Sequence, residues 1–219
     1  MIKVLVTSGG TKVKIDMVRS ITNMSKGTFG SKIASEFMKY GDTYVTFLHA
    51  KGSRLPDYGA NTLIEYETFD EYAANLSLEL AKKPDIIVLA AAVSDYGVAN
   101  YVDGKIRSKG DMVIELKPLP KLISTVRKAC PNAVICGFKL LVNSTEDELI
   151  KAAAESLDKN KCDIVVGNDL RDIKANNHTL WMVEDATPAI HYTKYMKSTH
   201  NLPDVVLTTC FNHLEKYGK

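Results

Sequence analysis

From Asp85 to Ala92 the chain reads Asp-Ile-Ile-Val-Leu-Ala-Ala-Ala, with no polar alternation after the aspartate. A strand with one wet face alternates apolar and polar residues. One that does not is buried on both faces, which demands helices on each side of its sheet. Further β-branched runs occur at Val4 to Thr7, Tyr44 to His49, Thr62 to Tyr66, Ala133 to Phe138 and Ile164 to Gly167, beside the central one from Ile86 to Ala90. Between them, Lys32 to Tyr40, Phe69 to Ala81, Leu119 to Ala129 and Glu146 to Lys159 carry apolar residues at helical spacing. Strand and helix in turn make βαβ units. The expected fold is α/β: a Rossmann-like open, mainly parallel sheet with helices on both faces. The tail departs from the alternation, with a C-terminal β-hairpin predicted around His178 to Val183 and Ala189 to Tyr192, then a helix from Leu202 to Tyr217. The polar segment from Gly97 to Lys117 departs too. Its two-residue period around Met112 to Leu116 predicts a projecting β flap. One domain over residues 1–219, with the flap at about 97–117, is the expected organisation.

Charge narrows the function classes. Lys plus Arg number 28 and Asp plus Glu 26, a net +2 that lacks the footprint of a nucleic-acid binder. No apolar run approaches the roughly 20 residues that cross a bilayer, so no membrane partner is expected. The apolar start, Met1 to Val6, runs into Thr7-Ser8-Gly9-Gly10 with no cleavage site after it and reads as a buried first strand, unlike a signal peptide. Cys130, Cys136, Cys162 and Cys210 lack C-x-x-C spacing and read as reduced, buried thiols of a cytoplasmic protein. The five histidines, His49, His178, His191, His200 and His213, have no partner spacing, so neither a zinc site nor a catalytic triad is indicated.

Two loops carry the chemistry. Gly9-Gly10-Thr11 follows the first strand, where an open parallel sheet binds ligands and where glycines let backbone amides approach a phosphate. Asn23, Ser25, Lys26 and Gly27 precede a helix that begins near Gly30, placing an amide, hydroxyls and a cation where peptide dipoles favour an anion. Each signal alone is weak: Gly-Gly is often only a turn, and Asn23 or Ser25 could simply cap a helix.

In combination they are specific. Gly9-Gly10-Thr11, Ile15-Asp16-x-Val18-Arg19-x-Ile21-x-Asn23-x-Ser25-x-Gly27-x-x-Gly30, Ala90-Ala91-Ala92-Val93-x-Asp95-Tyr96, Lys105-Ile106-Arg107, Gly137-Phe138 and Asn168-Asp169 resemble, in order and spacing, the phosphopantothenoylcysteine synthetase family. The resemblance covers nearly the whole chain. It implies a phosphopantothenate–cysteine ligase of coenzyme A assembly, in a stand-alone bacterial form without the flavin decarboxylase domain. The implied substrates are 4′-phosphopantothenate, L-cysteine and a nucleoside triphosphate, CTP in preference to ATP, brought with Mg²⁺ and without flavin. The resemblance further implies a homodimer whose flap reaches the neighbouring site. Asn23 and Lys105 are the implied catalytic residues, one holding an acyl nucleotide and the other neutralising the α-phosphate. Gly9, Gly10, Thr11, Ala92, Asp95, Pro120, Leu122, Ile123 and Phe138 are implied in nucleotide binding; Ser25, Lys26, Gly27 and Arg107 in binding substrate.

The sequence departs from the family at four places. Lys121 stands where the family has aspartate, and Ser108 replaces the last lysine of the flap motif, for which Lys109 is the candidate substitute. After Phe138 an acidic position is lost and Lys139 appears. Two family lysines fall on Ser156 and Asn160, which turns the triphosphate reading to Lys139 and Lys159. Two other classes compete with this reading. An NAD(P)-dependent oxidoreductase should show G-x-G-x-x-G and an acid closing the second strand, where the chain has His49. A non-catalytic nucleotide-binding homologue has no need of Asn23 and Lys105.

Overall fold

The computed structural model describes residues 1–108, 110–175, 177–186, 189–197 and 199–217. The chain folds as β1 (Ile2–Ser8), β2 (Lys12–Lys14), β3 (Ser20–Thr22), α1 (Thr28–Met38), β4 (Thr43–Ala50), β5 (Thr62–Tyr66), α2 (Phe69–Ala81), β6 (Ile86–Leu89) and β7 (Tyr96–Val98). There follow β8 (Leu116–Pro118), α3 (Ile123–Ala129), β9 (Val134–Leu141), α4 (Glu146–Asn160), β10 (Ile164–Asp169), α5 (Leu170–Lys174), β11 (Thr179–Ala186), β12 (Ala189–Met196) and α6 (Leu202–Tyr217). An eight-stranded sheet has the order β12-β11-β10-β9-β6-β1-β4-β5, parallel from β5 to β10 and closed by the antiparallel pair β11 and β12.

The alternation of side chains sorts the core into two halves. Val4, Val6, Ile86, Val88, Val134, Cys136, Ile164 and Val166 point to one face, where Ile33 and Phe37 of α1 and Val206 and Cys210 of α6 cover them. Leu5, Ile87, Ile135 and Val165 point to the other, against Tyr72 and Leu76 of α2, Val126 of α3 and Ala153 and Leu157 of α4. Every residue of β6 is buried, as its unalternating sequence requires. Thr68 with Glu71, and Thr145 with Glu148, form capping boxes that fix where α2 and α4 begin. All four cysteines are buried and none is joined in a disulfide.

The expected mainly parallel α/β sheet and its C-terminal hairpin are both present. α3 begins at Ile123 rather than Leu119, because Pro120 pushes Leu119 before it out of the helical conformation. The flap is a ribbon only at its base, where β7 and β8 pair from Tyr96–Pro118 to Val98–Leu116. Met112 to Glu115 lie outside the strands, so the two-residue period there marks the approach to the ribbon. Among the described residues no helix is long and apolar enough to cross a membrane.

Candidate active site

β1 pairs with β4 on one side and β6 on the other, so the strand order reverses between β1 and β6. That is the topological switch point, where diverging connections leave a crevice beyond the carboxyl ends of the strands. The crevice floor is backbone. Ala92 N–H donates to Gly9 O at 2.7 Å, Thr11 N–H to Ala92 O at 3.3 Å, and Ser94 N–H to Thr11 Oγ1 at 2.9 Å. The two loops are thereby zipped together past the strand ends. Gly9 has φ +90°, and a Cβ there would lie 2.5 Å from the Ala50 side chain.

The loop from Ser20 to Gly30 folds onto this floor. Asn23 Nδ2 donates to Ala92 O at 3.0 Å and Thr22 Oγ1 to Thr11 O at 3.0 Å, so Asn23, Gly9, Gly10, Thr11 and Ala92 share one crevice. Gly10 makes the approach possible, since a Cβ on it would sit 2.8 Å from Asn23 O. Gly27 N–H reaches Ser25 Oγ at 3.4 Å, and Ser8 Oγ donates to Gly27 O at 2.9 Å. Gly27 is itself the residue before α1, at φ +70°, and no side chain caps that helix. The first N–H groups of α1 therefore lack a side-chain acceptor, with the exposed Lys26 beside them. Helix and strand meet closely because Gly30 has no side chain: a Cβ there would lie 2.5 Å from Ser8 Oγ.

The flap is held to the turn between β2 and β3 chiefly by one carboxylate. Asp16, 1% exposed, accepts from Val18 N–H at 2.7 Å, Arg19 N–H at 2.6 Å, Arg19 Nη1 at 2.7 Å and Ile106 N–H at 3.1 Å. Burial alone would raise its pKa, but the donated N–H groups and the Arg19 charge outweigh that and hold it at about 2. Val102 N–H to Ile15 O at 3.2 Å and Met17 N–H to Gly104 O at 3.1 Å complete the attachment. Lys105 and Arg107 flank Ile106 and are exposed. In the sequence Asp16 stands only within the family motif, and nothing there names Ile106 as its distant partner.

The remaining expected residues line the rim. Asp95 pairs with Lys121, and Asp95 O accepts Leu119 N–H at 2.8 Å, which brings Pro120, Leu122 and Ile123 to the loop after β6. Lys121 thus answers the aspartate across the crevice. Phe138, in the middle of β9, packs edge-on against Phe29 of α1 at 6.0 Å between ring centres. Lys139 is half-buried beside Gly167 of β10. The buried Asp169 accepts from the N–H groups of Asn143, Ser144 and Arg171, at 3.3, 2.8 and 2.8 Å, and from Ser144 Oγ. Burial opposes its charge, and these donors overcome it, leaving a pKa of about 2. The loop from β9 into α4 is pinned there.

Lys159 does not join them. α4 starts at that pinned loop and runs back along the sheet for about 22 Å at 1.5 Å per residue. It ends beside Lys161 O, which accepts from Arg127, and the entry to β10. The helix therefore carries Lys159, with Ser156 and Asn160, toward the opposite edge of the sheet. Lys109 lies outside the described residues. Among the described residues no group of three or more His, Cys, Asp or Glu is gathered as a metal site.

The model of the DNA/pantothenate metabolism flavoprotein C-terminal domain matches residues 1–207. The chain belongs to this family. The resemblance drawn from its motifs is therefore borne out. Members among its relatives include the coenzyme A biosynthesis bifunctional protein CoaBC of Thermococcus kodakarensis, 40% identical over 182 residues, which are 83% of this chain and 44% of that protein. CoaBC of Methanocaldococcus jannaschii is 38% identical over 168 residues, 77% of this chain and 40% of that one. The chain thus spans less than half the length of these relatives. The solved DNA/pantothenate metabolism flavoprotein from Streptococcus pneumoniae superposes with a TM-score of 0.82 at 29% identity, covering 97% of this chain and all of that one. A Cab2 variant in complex with phosphopantothenate-cysteine shares the fold, with a TM-score of 0.83 at 23% identity over 99% of this chain and 87% of that chain.

Proposed function

We propose that this member of the family joins 4′-phosphopantothenate to L-cysteine at the expense of a nucleoside triphosphate. The observation that carries the reading is the convergence of Asn23, the Gly9-Gly10-Thr11 turn and Ala92 in the switch-point crevice, in a chain whose CoaBC relatives bear the name of coenzyme A biosynthesis. A carboxylate does not condense with an amine at neutral pH, because oxide would have to leave. It is first activated: a carboxylate oxygen attacks the α-phosphorus and pyrophosphate departs. The cysteine amine then attacks the acyl carbon, the nucleoside monophosphate leaves with the bonding pair, and the amine proton passes to water.

Each step gathers negative charge on oxygens, so fixed donors and cations aimed at them lower the barrier. Lys105, on the flap that Asp16 ties to the turn between β2 and β3, neutralises the α-phosphate. Asn23, uncharged, donates to the acyl nucleotide without acting as a base that would hydrolyse it. Gly9, Gly10, Thr11, Ala92 and Asp95 seat the nucleotide, with Phe138 and the stretch Pro120, Leu122 and Ile123 at its rim. Ser25, Lys26, Gly27 and the start of α1 take the phosphate of phosphopantothenate, aided by Arg107. Lys139 remains the cation for the outer phosphates, and Mg²⁺ arrives with the triphosphate as part of the substrate. CTP is the preferred nucleotide in this reading, ATP the alternative. Four buried thiols suit a reducing cytoplasm. A homodimer, its flaps crossing between subunits, closes the site against water.

Pyrophosphate release by the purified protein with phosphopantothenate, cysteine and CTP or ATP in parallel tests the ligase. Release with one or both nucleotides, dependent on both acceptor substrates, is expected; none with either refutes it. A melting shift with NADH or FMN and none with a triphosphate would favour the oxidoreductase instead.

A further inference from the structure

Beside the crevice, three elements meet around a residue that no motif singled out. His178 lies in the segment that enters β11, and its Nε2 is 2.7 Å from Asn168 Oδ1, at the carboxyl end of β10. Its ring packs edge-on against Phe29, 5.0 Å between centres, and Phe29 in turn packs on Phe138. Phe29 is two residues past Gly27, in the first turn of α1. One imidazole thus touches the carboxyl end of β10 and, through Phe29, joins the start of α1 to Phe138 of β9.

Hydrogen-bond chemistry fixes what this contact does. An amide oxygen only accepts, so His178 Nε2 must carry the proton, and the imidazole is in its Nε2–H form when neutral. Burial, together with the cations Lys197 and Lys32, lowers the histidine pKa and keeps the ring neutral; Asp172 opposes them. Asn168 is 6% exposed, and a buried amide is costly to leave unsatisfied. With its oxygen committed to His178, the donor end faces away from the histidine. That end makes one long bond, 3.5 Å to Val166 O, which leaves donor capacity over. Without His178 only the long contact to Val166 O would hold the amide in this orientation.

We infer that His178 is a positioning residue: it selects the orientation of the Asn168 amide so that its N–H donors are presented to an anionic oxygen of the bound nucleotide. The assignment deepens the ligase reading and rests on it for the identity of the ligand. Lys32 and the uncapped start of α1 supply positive potential on the same side. The sequence held no sign of this, since ten residues separate the partners and they meet only because β11 returns antiparallel beside β10.

The experiment compares His178→Leu with His178→Gln, whose amide N–H can replace Nε2–H. His178→Leu should raise the KM for the triphosphate at least tenfold with kcat within about twofold, and His178→Gln should recover most of that loss. A purely structural role predicts a lower melting temperature in both and no such split in KM. An unchanged KM in the leucine variant, or an equal rise in both, overturns the assignment. Imidazole ¹⁵N spectra of the ligand-free wild type are read alongside. They should show the proton on Nε2, and the Asn168 side-chain NH₂ signal should shift in the leucine variant. A proton on Nδ1 refutes the geometry. This second reading needs no turnover, so absence of ligation with either nucleotide would sink the ligase reading while the tautomer still decides on His178.

Discussion

The Asp16 carboxylate accepts the backbone N–H of Ile106 at 3.1 Å, across 90 residues of sequence. It thereby ties the turn after β2 to the flap between Lys105 and Arg107. Asp16→Asn keeps the shape but gives up the charge that makes these bonds strong. The expected result is a drop in turnover of about tenfold or more, since displacing a reacting group by an ångström has that order of effect. Protease cleavage between Val102 and Arg107 should quicken in parallel. Wild-type turnover with faster cleavage would separate the anchor from catalysis.

Acid should undo two such anchors together. Asp16 and Asp169 ionise at about 2 when folded, against 3.8 for the unperturbed group. Between those values the unfolded chain binds protons that the folded chain does not. Their contribution is therefore complete above about pH 4 and is lost as pH falls toward 2. Melting temperature should decline across that window, with a shallower decline in Asp16→Asn and Asp169→Asn. Equal slopes in all three proteins would show that other carboxylates govern acid unfolding.

Asn23→Ala and Lys105→Ala should fold normally and lose nearly all activity. Both side chains are exposed, and surface truncations outside a buried network change stability by no more than about 0.5 kcal/mol. Circular dichroism with steady-state kinetics checks this, and near wild-type turnover in either variant removes that residue from the proposed site.

Gly10→Ala should harm function more than stability. The added methyl would stand 2.8 Å from Asn23 O, so the loop must move and the Asn23 side chain lose its bond to Ala92 O. A thermal midpoint within a few degrees of wild type and turnover reduced at least tenfold are expected. Unimpaired turnover would mean that Asn23 needs no fixed position.

The flap exposes Val113, at 94%, and half of Met112, beside exposed Tyr101 and Val102. If these pair subunits, Val113→Pro with Glu115→Pro should lower dimer content and activity together, because proline withdraws an amide that a paired strand must donate. Sedimentation velocity across a range of concentrations measures both proteins, and a wild-type monomer at every concentration refutes the dimer.

How far the sequence reached follows from the range of the forces involved. The unalternating run at β6, the helical spacing of α2 and α4 and the glycines at 9 and 27 were legible because burial on two faces, amphipathic packing and positive φ are each imposed locally. The order of motifs then indicated which loops gather at the site, since parallel strands send their carboxyl ends to one edge. Only the tertiary structure decided the rest. It joined Asp16 to Ile106, answered Asp95 with Lys121, set His178 against Asn168 and carried Lys159 down α4 away from the crevice. Those relations depend on which strand lies beside which and on the direction each helix takes back. Residues tens of positions apart settle that jointly when they pack, and no short stretch of sequence records it.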